Sequence, residues 1–245
     1  MARVDDLLRT GLMDVGDKPS DSAGRETKKR YSEKVSAAVA LAIADELRHR
    51  GAKQARPAPP GLLDSSGAER RMSGGIGAKK VDVTWATEES GLLLGLSIKS
   101  INFRDGRTKN FQKNLVNRRG DMLFEGVTLH RRFPYSVLGG FFFLDAAAEH
   151  DGTNRRRSTF LNAHSRLGLF TGRDDPGGRD EQYERLYIVL LDASALHANF
   201  RMFCVGDPVN TCSVEQAIDD LLRATVTRNP DFYEYRDGKI RSIKS

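Results

Sequence analysis

The chain has 245 residues, of which 39% are hydrophobic and 29% are charged. This composition is typical of a globular domain and excludes a disordered or fibrous chain. Lysine and arginine total 39 against 33 acidic residues, so the net charge is +6, which favours anionic partners such as nucleic acid.

Features of membrane and secreted proteins are missing from the sequence. No apolar run reaches the roughly 18 residues that a membrane-spanning helix needs, so we expect no membrane partner. The N-terminus lacks the apolar stretch of a secretory signal, and two cysteines make no disulfide framework. The sequence therefore predicts a cytoplasmic protein.

The first 30 residues are rich in turn formers and lack sustained periodicity, which predicts a flexible N-terminal arm over residues 1–30. Residues 31–245 are expected to form one domain, with its core at 31–145 and a C-terminal elaboration at 146–245.

The domain begins with a predicted helix. From Tyr31 onward, apolar residues recur every four positions until Gly51 ends the pattern, and these residues are Val35, Val39, Ile43 and Leu47. Two predicted strands follow at residues 80–84 and 91–103, and they are expected to form a hairpin.

The middle of the chain reads as strand, helix, strand. Residues 111–132 carry helix-spaced Leu115, Met122 and Leu129, and residues 135–144 are an apolar run typical of a buried strand. Such a crossover makes the strands on either side of the helix parallel neighbours. The predicted fold class is therefore α/β, with a mixed central β-sheet flanked by helices.

The C-terminal part continues the alternation of helices and strands. Helices are predicted at residues 157–170 and 213–223, strands at 186–191 and 200–205, and a terminal hairpin at 231–245. Ser213 is the expected N-cap of the second of these helices.

Several motifs of known chemistry are missing. The glycines before Lys80 lack the spacing of a P-loop or a dinucleotide fingerprint, no histidine pair has zinc-ligand spacing, and there is no Gly-x-Ser-x-Gly elbow. A nucleotide hydrolase, a structural zinc site and a serine hydrolase are therefore not favoured.

A carboxylate and a lysine lie on the adjacent strands of the predicted hairpin. Asp82 stands between apolar residues, and Ser97 and Lys99 share one face because side chains alternate along a strand. A carboxylate can bind a divalent cation, and a lysine can stabilise charge on an attacked phosphate. Together they are suited to phosphodiester hydrolysis.

This order of helix, Asp-bearing strand, strand ending in x-Lys, helix and strand resembles the PD-(D/E)XK nuclease superfamily, with its restriction-endonuclease-like fold. The resemblance covers residues 31–144, with Asp82 as the first motif carboxylate and Ser97-Ile98-Lys99 as the (D/E)-x-K tripeptide. Because Ser97 replaces the second carboxylate, another acidic residue must complete the site.

The resemblance implies where that acid is found. Asp121 and Glu125 are four residues apart on one face of the following helix, and the leading helix offers Glu33 or Glu46. The predicted catalytic residues are Asp82, Ser97, Lys99 and Glu125. The predicted Mg²⁺ ligands are Asp82, Asp121, Glu125 and Glu33, and Mn²⁺ is expected to substitute for Mg²⁺. Ordinary strand and surface roles, such as local hydrogen bonds and ion pairs, stay open for all of them.

Basic and amide side chains on the same helix are candidates for phosphate contacts. The predicted nucleic-acid-binding residues are Lys113, Asn117, Arg118, Arg119 and Arg131. A solvated charged face is the alternative interpretation. His130 is expected to be structural.

The resemblance implies a metal-dependent endonuclease that acts on DNA as a homodimer, with a role in restriction or anti-phage defence and with a possible defence-system partner protein. The alternative is a catalytically degraded module of the same fold that binds nucleic acid or assembles into a complex. A nuclease that acts on RNA is a third possibility, and the sequence has no RNA-recognition motif that favours it.

Overall fold

A computed structural model describes residues 2–59, 61, 70–73 and 78–243 of the chain. Its α-helices are α1 (Arg3–Val15), α2 (Arg25–His49), α3 (Leu115–Arg132), α4 (Thr159–Leu167) and α5 (Val214–Thr227). Its strands are β1 (Arg70–Ser73), β2 (Ala78–Val81), β3 (Val83–Thr87), β4 (Gly91–Ile101), β5 (Val137–Asp145), β6 (Arg185–Ala193), β7 (Ala198–Cys204), β8 (Thr211–Cys212), β9 (Tyr233–Arg236) and β10 (Lys239–Ser242).

Six strands form the central sheet, in the order β3-β4-β5-β6-β7-β8. β5 pairs in parallel with both β4 and β6, whereas the three outer pairings are antiparallel. The hairpins β1–β2 and β9–β10 form separate two-stranded sheets. The α/β fold class and the mixed sheet are confirmed, as is the parallel β4–β5 pair that the crossover predicted.

Helices cover both faces of this sheet. On one face, α1, α2 and α5 pack on a core that includes Leu96 and Phe141. On the other face, α3 and α4 pack on a second core that includes Phe142 and Ile188. Side chains alternate between the two cores along each strand, so the buried run of β5 is apolar on both sides.

The N-terminal residues do not form the flexible arm that was predicted for 1–30. Residues 3–15 are helix α1, whose Val4, Leu8 and Leu12 are buried, and α2 begins at Arg25 rather than at Tyr31. The prediction is wrong because three apolar residues at four-residue spacing already make a stripe wide enough to pack on α2 and β7.

Asp82 interrupts the strand that was predicted at residues 80–84. The chain bends at this residue, so β2 ends at Val81 and β3 begins at Val83. β3 then pairs antiparallel with β4, which confirms the predicted hairpin. The break places Asp82 at the junction of two strands, beside the middle of β4.

Candidate active site

β4 places Ser97 and Lys99 on the face of the sheet that α3 covers. Leu96 and Ile98 point into the core on the opposite face, so the alternation of the strand directs their neighbours toward α3. Ser97 and Lys99 therefore lie on one face of β4, as the sequence predicted. Lys99 lies near the carboxyl end of β4, where the strand leaves the sheet at Ile101.

Three charged side chains from three segments meet at this point. Lys99 Nζ lies 3.3 Å from Glu125 Oε2 of α3 and 3.6 Å from Asp82 Oδ2. The side chain of Lys99 is 14% exposed, that of Asp82 13% and that of Glu125 2%. We call Asp82, Lys99 and Glu125 the charged triad; it is recessed but open to solvent on the side of Asp82 and Lys99.

The triad holds Lys99 in its charged form. Burial alone would lower the pKa of Lys99, but the carboxylates of Glu125 and Asp82 outweigh burial and raise the pKa above its usual value. The guanidinium of Arg118 acts in the opposite direction. At neutral pH the Lys99 ammonium therefore lies between two acidic side chains.

The backbone of β4 orients Asp82. The amide nitrogen of Ile98 donates a hydrogen bond to Asp82 Oδ2 at 2.5 Å. This bond turns the carboxylate toward the strand that carries Lys99, and it explains why the chain bends at Asp82 instead of continuing one strand. A charge-assisted bond to a backbone amide also favours the ionised carboxylate.

Tyr183 lies beneath the triad, and sequence reasoning missed it. Its fully buried hydroxyl donates to the backbone oxygen of Met122 at 3.1 Å, and burial followed by the charge of Glu125 raises its pKa well above the usual value. Ser97 Oγ lies beside this hydroxyl but outside hydrogen-bonding geometry, and it has no hydrogen-bond partner among the described residues. No local motif precedes Tyr183 that would have indicated this role.

Gly126 allows the close packing that brings α3 to Tyr183. A Cβ atom at this position would lie 3.3 Å from the backbone oxygen of Asp180 and 3.3 Å from the Tyr183 ring. The residue after Glu125 must therefore be small for the helix to sit where its carboxylate reaches Lys99.

The other predicted acidic ligands are not brought into the triad. Asp121 is half-exposed one turn before Glu125, and it pairs with Arg118 at 3.6 Å. Glu33 lies on α2, which covers the opposite face of the sheet, and its exposed carboxylate faces Lys29 at 3.8 Å. Glu46, also on α2, is buried in ion pairs with Arg3 and Arg50.

The predicted nucleic-acid-binding residues are accessible, and most already have a partner. Lys113 pairs with Asp105 at 2.5 Å, Arg131 with Asp180 at 3.4 Å, and the Arg119 guanidinium lies over the Phe170 ring at 5.8 Å. Asn117 is exposed and Arg118 is half-exposed on the turn of α3 that precedes Asp121. They form a polar, basic surface at the start of α3.

His130 belongs to a buried cluster at the opposite end of α3, as a structural role predicts. Its Nδ1 lies 2.9 Å from the backbone oxygen of Asp180, and its Nε2 lies 3.4 Å from Glu184 Oε2. Glu184 Oε1 also accepts hydrogen bonds from Arg173 at 3.0 Å and Arg228 at 2.5 Å. This cluster ties α3, β6 and the end of α5 together.

The two carboxylates of the triad are the residues that could hold a hard divalent cation. Among the described residues there is no group of three or more His, Cys, Asp or Glu side chains that would hold a metal ion by themselves. Mg²⁺ is commonly bound by one or two carboxylates and completes its octahedron with water and substrate oxygens. Asp82 and Glu125 supply that number of ligands, and the buried hydroxyl of Ser97, without a partner in the described part of the chain, lies on the same face of β4 as Lys99.

Comparison with known proteins identifies no relative from which the function of this site could be transferred. No family model, no curated protein and no solved structure matches this chain. None of the helices in the described ranges is long and apolar enough to span a bilayer.

Proposed function

We propose that the protein is a Mg²⁺-dependent nuclease that hydrolyses phosphodiester bonds of DNA. The observation that supports this most directly is the charged triad. Asp82, Lys99 and Glu125 come from a strand junction, a central strand and a helix, and Lys99 Nζ lies within 3.6 Å of both carboxylates. Two carboxylates and a lysine at a recessed site are groups suited to metal-assisted phosphodiester hydrolysis.

Each residue of the triad has a role in this proposal. Asp82 and Glu125 would hold the metal ion, which when bound supplies positive charge that polarises the phosphate. Lys99 places its ammonium beside the same position and stabilises charge that develops on the phosphate oxygens. The Ile98 amide fixes the Asp82 carboxylate, and the packing of Gly126 on Tyr183 fixes the helix that carries Glu125.

The charge of the surroundings supports a polyanionic substrate. The net charge is +6, and the polar, basic surface at the start of α3 includes Asn117, Arg118 and Arg119, on the same helix as Glu125. Contacts from such residues to phosphates would set the register of a duplex without reading its sequence. Mn²⁺ is expected to replace Mg²⁺, and a homodimer would allow both strands to be cut.

A second candidate function follows from the pairing inside the triad. Lys99 faces both carboxylates, so the three groups also satisfy one another as a buried ion cluster. A module of the same fold that binds nucleic acid without cutting it would keep this cluster for stability alone. Such a module binds DNA with an affinity that falls with salt and does not respond to Mg²⁺.

The experiment that separates these functions is a cleavage assay with the full-length protein. Supercoiled plasmid, linear DNA and an RNA of matched sequence are incubated at low salt with Mg²⁺, Mn²⁺ or chelator. The nuclease is expected to cut DNA only with metal, to lose at least 100-fold in rate in Lys99→Ala, and to keep its rate in the matched control Lys53→Ala, whose lysine is exposed. DNA binding without cleavage under any metal would contradict the nuclease and favour the binding module.

A further inference from the structure

The two cysteines of this chain lie side by side on the edge of the central sheet. Cys204 ends β7 and Cys212 ends the two-residue edge strand β8, and the register pairs Met202 with Cys212. Two residues further along β7, Cys204 is the diagonal neighbour of Cys212 and points to the same face. Their Sγ atoms are 3.7 Å apart, in direct contact.

The two thiols differ in access to solvent. Cys204 is exposed and Cys212 is half-buried. Burial, followed by the neighbouring Cys204, raises the pKa of Cys212 to about 12, so Cys212 stays a thiol at neutral pH. Cys204 is therefore the sulfur that an oxidant in solution can reach, and Cys212 is held beside it.

We infer that Cys204 and Cys212 are an oxidation site that closes to an intramolecular disulfide when the protein meets a peroxide. The sulfur atoms must approach by roughly 1.7 Å to reach the usual bond length of about 2.0 Å. β8 can supply this movement because it is an edge strand of two residues joined to β7 by two register pairs. A solvent-facing turn, which contains Gly206 at a positive φ of 101°, separates the two cysteines.

The chemistry balances with hydrogen peroxide as the oxidant. The Cys204 thiolate attacks one peroxide oxygen, so an S–O bond forms, the O–O bond breaks, and protonation of the leaving hydroxide releases water. The Cys212 sulfur then attacks the Cys204 sulfur, the S–O bond breaks, and the departing hydroxide takes the Cys212 proton and leaves as a second water. Two thiols lose two electrons in total, and the peroxide gains them.

The disulfide would fasten the start of α5 to the sheet. Ser213, the residue after Cys212, is the N-cap of α5, and its Oγ accepts from the Gln216 amide at 3.0 Å. On the other side of the turn, the Gly206 amide donates to His164 Nδ1 at 3.1 Å. A covalent link between β7 and β8 therefore limits opening of the turn and of the first residues of α5.

The test uses the full-length protein, fully reduced and then treated with one equivalent of hydrogen peroxide. After denaturation in an alkylating reagent, tryptic mapping without reductant is expected to show the single peptide that carries both cysteines two hydrogen masses lighter than its reduced form, with no alkylated cysteine. Dithiothreitol should restore two alkylatable thiols. A protein that keeps both thiols, that couples through dimers, or that accumulates sulfinic acid at Cys204 would overturn the inference.

Single variants show which cysteine reacts with peroxide and which one closes the disulfide. The experiment on the wild-type protein stands whether or not these variants fold. Cys212→Ser, with no second thiol, is expected to stop at a sulfenic acid on Cys204 that dimedone traps. Cys204→Ser should leave Cys212 reduced at the same peroxide dose. Amide exchange of residues 205–213 in the oxidised wild-type protein is expected to slow; unchanged exchange would contradict the fastening of α5.

Discussion

Lys99 and Glu125 stand 26 residues apart in the chain, and their Nζ and Oε2 atoms lie 3.3 Å apart in the folded protein. β4 and α3 create this contact, because the crossover helix returns over the strand that precedes it. Glu125 is thereby held beside Lys99 by the helix that follows β4. The relationship makes Glu125, and not Asp121, the acid that shares the site with Asp82.

Measuring Mg²⁺ affinity distinguishes Glu125 from Asp121 as the metal ligand. Glu125→Gln and Asp82→Asn each remove one of the two carboxylates beside Lys99, so we expect Mg²⁺ binding to weaken at least tenfold and cleavage to be lost. Asp121→Asn, a matched change one turn away on α3, is expected to keep both. Calorimetric titration of Mg²⁺ and the plasmid assay measure the two properties. Loss of Mg²⁺ binding in Asp121→Asn with retention in Glu125→Gln would reverse the assignment.

Removing Lys99 is expected to destabilise the protein and to make its free energy of unfolding depend on Mg²⁺. In Lys99→Ala, Asp82 and Glu125 are left without their shared cation in a recessed site, which costs about 3–5 kcal/mol in the free energy of unfolding. Urea denaturation in chelator measures this loss. Millimolar Mg²⁺ should recover part of it because a cation again lies between the carboxylates.

A double variant controls for the loss of packing. If charge causes the instability, Lys99→Ala combined with Glu125→Gln is more stable in chelator than Lys99→Ala alone. Equal stability of the single and double variants, with no response to Mg²⁺, would show that the aliphatic part of Lys99 and not its charge is responsible.

The basic surface of α3 is expected to contribute affinity without sequence preference. Arg118→Ala and Arg119→Ala should each weaken DNA binding and lower the slope of log affinity against log salt by about 1, because each removes one phosphate contact. Arg223→Ala, on α5 and the opposite face of the sheet, is the matched control. Fluorescence anisotropy over a salt series measures the slopes. If the slope of log affinity against log salt is the same in all three variants, then DNA does not bind at the start of α3.

Local patterns predicted most of the fold. The spacing of Val35, Val39, Ile43 and Leu47 predicted α2, and all four side chains are buried. The N-cap at Ser213 and the terminal hairpin of β9 and β10 were also confirmed, because each depends on neighbouring residues. α1 was missed because its apolar stripe has only three members within a polar segment.

The site was only partly predictable for a different reason. Ser97 and Lys99 follow strand alternation, which is a local property, and Lys99 and Asp82 do lie together although Asp82 stands at a bend between two strands. Whether Asp121 or Glu125 faces them depends on the rotation of α3, which Gly126 and Tyr183 determine through contacts with a loop more than fifty residues away. Likewise, no pattern around Glu184 indicated the buried cluster with His130, Arg173 and Arg228.

That cluster is expected to be a major source of stability. Glu184 faces Arg173, Arg228 and His130 at once, and its side chain is 1% exposed. Glu184→Gln leaves three cationic or polar groups buried without their counter-charge, so we expect a loss of about 3–5 kcal/mol in the free energy of unfolding. Glu181→Gln, which removes a carboxylate paired with Arg179 at the surface, should cost at most about 1 kcal/mol. Denaturation with urea compares them, and similar losses would contradict the role of burial.

The acid stability of the fold is expected to depend on His164. Burial lowers the pKa of this imidazole from 6.5 to about 4, and its Nδ1 accepts from the Gly206 amide, which requires the unprotonated nitrogen. Between these two pH values the unfolded chain binds a proton that the folded chain does not. The stability that the neutral ring contributes is therefore full above pH 6.5 and declines as the pH falls toward 4. The decline corresponds to the uptake of at most one proton on unfolding.

Replacing His164 tests this dependence. His164→Gln removes the titrating group, so its free energy of unfolding should decline less steeply than that of the wild type between pH 6.5 and 4. His197→Gln is the control because that histidine is 46% exposed, and its profile should follow the wild type. Urea denaturation at several pH values measures all three profiles. If His164→Gln and the wild type decline in parallel, then His164 does not carry the acid sensitivity, and another buried group, such as Glu184, must account for it.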